Sequence, residues 1–150
     1  MMPVDVQLAS TAAQLPELSA IQRWADLALE ELGEDPEPPD LCIRLVDAAE
    51  SQTLNSRFRG QEKPTNVLSF PADVRIPGRR TLGDVVICMP VVVGEAARQQ
   101  KAVDDHLAHM VVHGVLHLFG YDHQKDDDAQ RMEGLEQQIL RQLGVADPYG

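Results

Sequence analysis

The chain has 150 residues, 43% hydrophobic and 25% charged, the composition of one globular domain with a core of ordinary size. Its two cysteines, Cys42 and Cys88, exclude a disulfide scaffold or a C-x-x-C metal knuckle and fit buried free thiols in a reducing compartment. The formal net charge of −11 argues against indiscriminate nucleic-acid binding.

The first residues, Met-Met-Pro-Val-Asp-Val, carry neither the basic region nor the apolar core of a signal peptide. Val4 to Leu8 alternates apolar and polar side chains, as a half-buried strand does. From Glu17 to Leu32 apolar residues recur at helical spacing, with Trp24 as a core anchor and Gly33 as the stop. Residues 34–40 are acidic and hold three prolines, so they read as a loop. Leu41 to Val46 reads as a strand. Asp47 is placed to cap a helix reaching about Arg57, with Leu54 and Phe58 facing inward. Residues 60–66 form a polar loop.

Asn66 to Phe70 is a strand that stops at Pro71, Ile76 to Arg80 a turn, and Gly83 to Cys88 a buried strand. The short link predicts an antiparallel pair, and Pro71 and Pro77 put the first of the two at a sheet edge. Charge is uneven here. Residues 57–80 hold Arg57, Arg59, Lys63, Arg75, Arg79 and Arg80 against Glu62 and Asp73, a net of +4 inside an acidic chain. Such a patch can grip a few phosphates while the acidic remainder repels stray RNA; a solvated loop with chance arginines gives the same pattern. The longest apolar run, Val85 to Val93, is too short for a bilayer and contains Pro90. The expectation is one domain over residues 1–150, cytoplasmic and without membrane contact. Pro90 starts a helix to about Lys101. Asp104 or Asp105 caps the next, which ends at Gly120. A last helix covers Asp126 to Leu143, with Met132, Leu135, Ile139 and Leu143 as its apolar stripe and Asp126 to Asp128 at its positive end.

The helix ending at Gly120 carries the chemistry. His113-Gly-Val-Leu-His117-Leu-Phe-Gly120-Tyr-Asp-His123 holds three of the five histidines in the pattern H-x3-H-x5-H. Residues four apart on a helix share a face, so His113 and His117 can present two imidazoles to one point. Gly120 can take the left-handed conformation that turns the chain back, and His123 can then close on the same point. Three imidazoles with a fourth position open make a catalytic zinc site. The spacing is that of the metzincin proteases, except that Gly114 stands where those enzymes carry their glutamate base. Buried, hydrogen-bonded core histidines are the bland alternative. His109 offers a competing i, i+4 pair with His113, but only His113/His117 is followed by the glycine turn and a third histidine. His109 then reads as a packed residue or a group behind the ligands, and His106 as a surface or partly buried residue.

The segment 108–123 resembles the signature of the YbeY family of bacterial endoribonucleases. So do Leu54-Asn-Ser-Arg-Phe-Arg-Gly60, Lys63-Pro-Thr-Asn-Val-Leu-Ser-Phe-Pro71, Leu82-Gly-Asp-Val-Val-Ile87 and Leu143-Gly-Val-Ala-Asp-Pro-Tyr149. The similarity runs from about residue 40 onward. It implies an α/β (α+β) fold: a mixed four-stranded sheet with an antiparallel edge strand, surrounded by helices and related to the zincin metal hydrolases. It implies a metal-dependent endoribonuclease acting on single strands in 3′-end maturation of small-subunit ribosomal RNA and in ribosome quality control. Zinc would be held by His113, His117 and His123, though nickel suits the same donors. The family's functional arginine falls on Arg59. Implied partners are ribosomal particles, a small-subunit ribosomal protein and an Era-type GTPase.

Arg59 is suited to clamp a phosphoryl group, because a guanidinium matches phosphate oxygens two-pronged; without the resemblance it reads more readily as a surface residue closing a helix. Lys63, Arg57, Arg79 and Arg80 are further phosphate contacts by sequence proximity. Asp84 and Asp122 are the nearby carboxylates, with Asp122 suited to orienting a ligand histidine, and Thr65, Asn66 and Ser69 can line a cleft. The general base is left open. Three other readings fit parts of the pattern: a zinc peptidase or amidohydrolase, an assembly factor whose structural metal takes His109 as a fourth ligand, and a nickel or cobalt carrier.

Overall fold

Among the described residues, alternating and continuous apolar runs form four strands, and longer runs at helical spacing form five helices. The computed structural model describes residues 4–12, 15–33, 39–72, 81–121 and 126–148. The order is β1 (Val4–Ala9), α1 (Leu18–Leu32), β2 (Asp40–Val46), α2 (Ala48–Arg59), β3 (Val67–Pro71), β4 (Thr81–Cys88), α3 (Met89–Arg98), α4 (Val103–Leu118) and α5 (Asp126–Gln142). The sheet order is β1-β2-β4-β3. β1, β2 and β4 are parallel, and β3 runs antiparallel to β4 at the edge, as the sequence predicts. The turn expected over 76–80 lies outside the described residues. Among the described residues no helix is long and apolar enough to cross a membrane.

Strand periodicity sends alternate side chains to opposite faces. Leu41, Ile43, Leu45, Val85 and Ile87 face the large core shared with α1, α4 and α5, in which Trp24 is buried. Val46, Leu68, Val86 and Cys88 face a smaller cluster closed by Leu54 of α2, with Phe70 beside it. So α4 and α2 lie on opposite faces, with edge strand β3 reaching both. Ala72 N–H donates to Leu82 O, and Cys88 N–H to Asn66 O. By that parity Val67, Ser69 and Pro71 turn their backbone groups away from β4, toward the open edge.

Four local expectations are corrected. Phe58 is not buried: it is 57% exposed, turned toward the sheet with its ring edge-on against Phe70 at 5.1 Å but at the open side of the smaller cluster. Asp47 stands at the N-terminus of α2 but makes no capping bond there. Its carboxylate instead accepts from the Ser10 hydroxyl and from the Thr11 N–H and hydroxyl, tying the end of β1 to α2. Neither Asp104 nor Asp105 caps α4. Ala102 holds that position, and both aspartates lie in the first turn, where they face the positive end of the helix dipole. His106 is buried, not on the surface, and its Nε2 lies 3.0 Å from a Glu95 carboxylate oxygen.

Candidate metal centre

Helix α4 is buried along nearly its whole length, and one position explains how closely it lies on the sheet. A Cβ at Gly114 would sit 2.5 Å from Val85 Cγ1 and 3.3 Å from Val67 Cγ2. The Gly114 carbonyl also accepts the Ser69 hydroxyl of β3 at 3.0 Å. A glutamate at the metzincin base position therefore has no room: the helix gives it up to pack on β4 and β3. Past Leu118 the chain turns through Gly120 with φ +96, the left-handed region expected there.

His113 and His117 converge as their spacing predicts. Their Nε2 atoms lie 3.0 Å apart, with ring centroids 4.6 Å apart. The His113 side chain is 17% exposed, so solvent reaches the pair. It stands in the last turns of α4, at the negative end of the helix dipole, which favours a cation. His123 and Asp122 lie outside the described residues.

Behind the pair sits Glu136 of α5, which is 0% exposed and packed among Met132, Ile139 and Leu140. An ionised carboxylate cannot stay in such a place unpartnered. Its Oε1 lies 2.8 Å from His113 Nδ1 and its Oε2 2.6 Å from His109 Nε2. Burial, the largest single effect, pushes its pKa up. The hydrogen bonds from His109 and His113 and the charge of those rings together outweigh burial and hold it at about 2. A carboxylate only accepts, so His113 donates through Nδ1 in either protonation state, and in the neutral ring the lone pair falls on Nε2, the atom that faces His117. His109 is thus both core and partner to the carboxylate that orients His113. Sequence reasoning missed Glu136. The available signal was a carboxylate in register with the apolar stripe of α5, where a buried, partnered group belongs.

Two donor sets share His113. His109, His113 and Glu136 bring ligand-type atoms within 4.8 Å of one another and could hold a metal ion. The other set is the Nε2 pair of His113 and His117. Imidazoles on one tetrahedral zinc at about 2.0–2.1 Å stand roughly 3.3 Å apart, so the 3.0 Å pair fits an ion with little opening. In the first set both Glu136 oxygens already accept short hydrogen bonds, and binding an ion there would break one.

Arg59 closes α2, on the far side of β3 from the histidines, and is exposed. Gly60, with φ +68, ends that helix. Asn55 donates to Lys63 O, and the Ser51 hydroxyl donates to Thr65 O; these bonds hold the loop that follows. Asn66 donates to Glu95, the same carboxylate that meets His106. Thr65 and Asn66 thus serve the framework, while Ser69 stands against α4. Cys42 is held in its thiol form. Burial first, and the neighbouring Asp84 charge second, push its thiol up to about 11. Arg79 and Arg80 lie outside the described residues.

Residues 7–144 match the family model described as Endoribonuclease YbeY. A relative from Stutzerimonas stutzeri (strain A1501), also called Endoribonuclease YbeY, is 51% identical over 154 residues, covering 99% of this chain and 92% of the relative. The solution structure of TM1509 from Thermotoga maritima superposes with a TM-score of 0.58 over 95% of this chain and 97% of its own, at 23% identity, a likeness of fold.

Proposed function

The chain belongs to the YbeY family of endoribonucleases, and from that membership we propose that it cleaves single-stranded ribosomal RNA by metal-assisted hydrolysis, in 3′-end maturation of the small-subunit RNA and in ribosome quality control. The metal is zinc, held by His113, His117 and His123, and the activity resides in residues 1–150 as one cytoplasmic domain. The observation that carries this reading is the His113/His117 pair: two imidazole nitrogens 3.0 Å apart, one fixed in its tautomer from behind by a buried carboxylate. A carboxylate behind a histidine is the usual support of a metal ligand. His109 Nε2 is engaged by Glu136, which argues against His109 as a fourth ligand and favours an open, catalytic position.

A divalent ion at this place would supply an acidified water and polarise a phosphoryl oxygen. The chain's own residues supply the rest. Glu136 keeps the His113 Nε2 lone pair turned outward. Gly114 lets α4 approach β3, so the imidazoles border the open edge of that strand. An RNA strand crossing this edge would meet the histidines on one side and Arg59 on the other. There the guanidinium would bind phosphate oxygens and stabilise the charge that develops at phosphorus. Partners in this reading are immature ribosomal particles, a small-subunit ribosomal protein and an Era-type GTPase.

The open edge of β3 would also suit an extended peptide. The lack of room for a base at Gly114 weighs against a peptidase, and an unfolded-protein substrate assayed beside RNA separates the two. The decisive experiment is incubation of metal-replete protein with immature ribosomal particles. His117→Ala is expected to lose stoichiometric metal and RNA cleavage together. Full cleavage by that metal-free variant would defeat the proposal.

A further inference from the structure

On the face of the sheet opposite α4, a groove of about 580 Å³ runs between α2 and the strands. Its apolar wall is Leu54, Phe58, Phe70 and Val86, and its floor carries Cys42 and Asp84. Phe58 stands at the mouth, 57% exposed. It is held edge-on against Phe70 with centroids 5.1 Å apart, and the Arg57 guanidinium lies 5.5 Å from its ring. With Leu54, Phe70 and Val86 it makes one continuous apolar wall, and a ring fixed by a neighbour is a ready platform.

Charge decides what covers it. Arg57 and Arg59 flank Phe58, and Lys63 follows in the next loop. At the other end of the groove Glu50 is already neutralised by Arg44, at 2.6 and 2.9 Å, which leaves the Asp84 carboxylate at the floor. The Arg57 guanidinium beside the Phe58 ring and a carboxylate at the floor favour a ligand with an anionic outer part and a flat, hydrogen-bond-donating inner part. A nucleotide has that polarity: its phosphate stays with Arg57, and every base offers an N–H or amino donor to the floor. Stacking on an aromatic ring is tolerant of sequence, because each base has a π-face.

We infer that this groove holds an unpaired nucleobase of the RNA strand, stacked on Phe58, one side of β3 away from the histidine centre. The inference rests on the RNA-cleaving reading above and adds to it a place where the strand is gripped. It makes Phe58 a positioning residue for a single strand. A duplex cannot enter, because a paired base has no free face.

The test is fluorescence anisotropy with short oligoadenylate and oligouridylate, with every protein, the parent included, carrying His117→Ala so that the strand binds without cleavage. Phe58→Ala is expected to weaken both by about fivefold to a hundredfold, the worth of one stacked base. Phe58→Trp is expected to bind within about twofold of the parent, and its fluorescence should be quenched on binding. The native Trp24 is buried and gives a constant background. Unchanged RNA affinity in Phe58→Ala, beside a parent that binds, overturns this inference and leaves the metal-centre reading intact. Loss of a dimer in sedimentation with RNA affinity unchanged identifies the groove as a contact between copies and overturns it too. A parent that binds neither oligonucleotide overturns both readings.

Discussion

Glu136 is the residue on which the centre turns, and its behaviour separates the two donor sets. If it orients His113 through the 2.8 Å bond to Nδ1, then Glu136→Gln keeps the shape but only one of the two acceptor oxygens, so either His113 or His109 loses its acceptor along with the charge. Metal affinity should then fall by about 10- to 100-fold, the usual effect of removing such a support, with stoichiometry unchanged under saturating zinc. If Glu136 were itself a ligand, one metal equivalent would disappear at any practical concentration. Equilibrium dialysis against a competing chelator reads the difference, and loss of stoichiometry would transfer the ion to the His109, His113 and Glu136 group. The sequence could not reveal this support from local spacing, because Glu136 follows His113 by 23 positions and reaches it only when α5 packs on α4. The i, i+4 pair in front of it was legible, since helix geometry alone brings those rings together.

At the scale of elements, the strands and helices followed from periodicity, and the edge position of β3 followed from its prolines. What escaped were bonds between distant parts of the chain. Asp47 has the residue type and position of a helix cap, yet its carboxylate bonds Ser10 and Thr11 across the end of β1. The Ser10 hydroxyl first, then the Thr11 N–H and the Thr11 hydroxyl, hold its pKa below the usual carboxylate range. A depressed folded-state pKa contributes stability that is complete above the unfolded value, roughly 3.9, and is lost as pH falls through the folded value. Asp47→Asn should therefore melt below the parent at pH 7, and the gap should close as the pH is taken below about 4. Thermal melts from pH 7 to pH 3 check this. A gap constant over that range would mean that the charge on Asp47 contributes nothing to the tie. Phe58 escaped for a related reason: its helical spacing does turn it toward the sheet, against Phe70, but spacing does not tell whether another part of the chain covers it, and it is 57% exposed.

The whole molecule is acidic, with a net charge of −11 and a local excess of cations only in residues 57–80. That arrangement sets how the protein should meet RNA. A uniformly basic surface would engage many phosphates. Here Arg57, Arg59 and Lys63 offer about three contacts, and binding to a single strand loses roughly 0.7 in log K per contact for each tenfold rise in salt. The slope of log K against log salt should therefore be near −2, shallow for an RNA-binding protein, with the acidic remainder suppressing binding away from the patch. Arg59→Glu should reduce the magnitude of that slope by at least about 0.7, keep its metal, and lose RNA processing. Elemental analysis, a salt titration and a cleavage assay on one preparation measure all three. Wild-type cleavage rates in the variant would refute Arg59 as a phosphate clamp, whereas an unaltered parental slope steeper than about −5 would show that many more cations than this patch grip the strand.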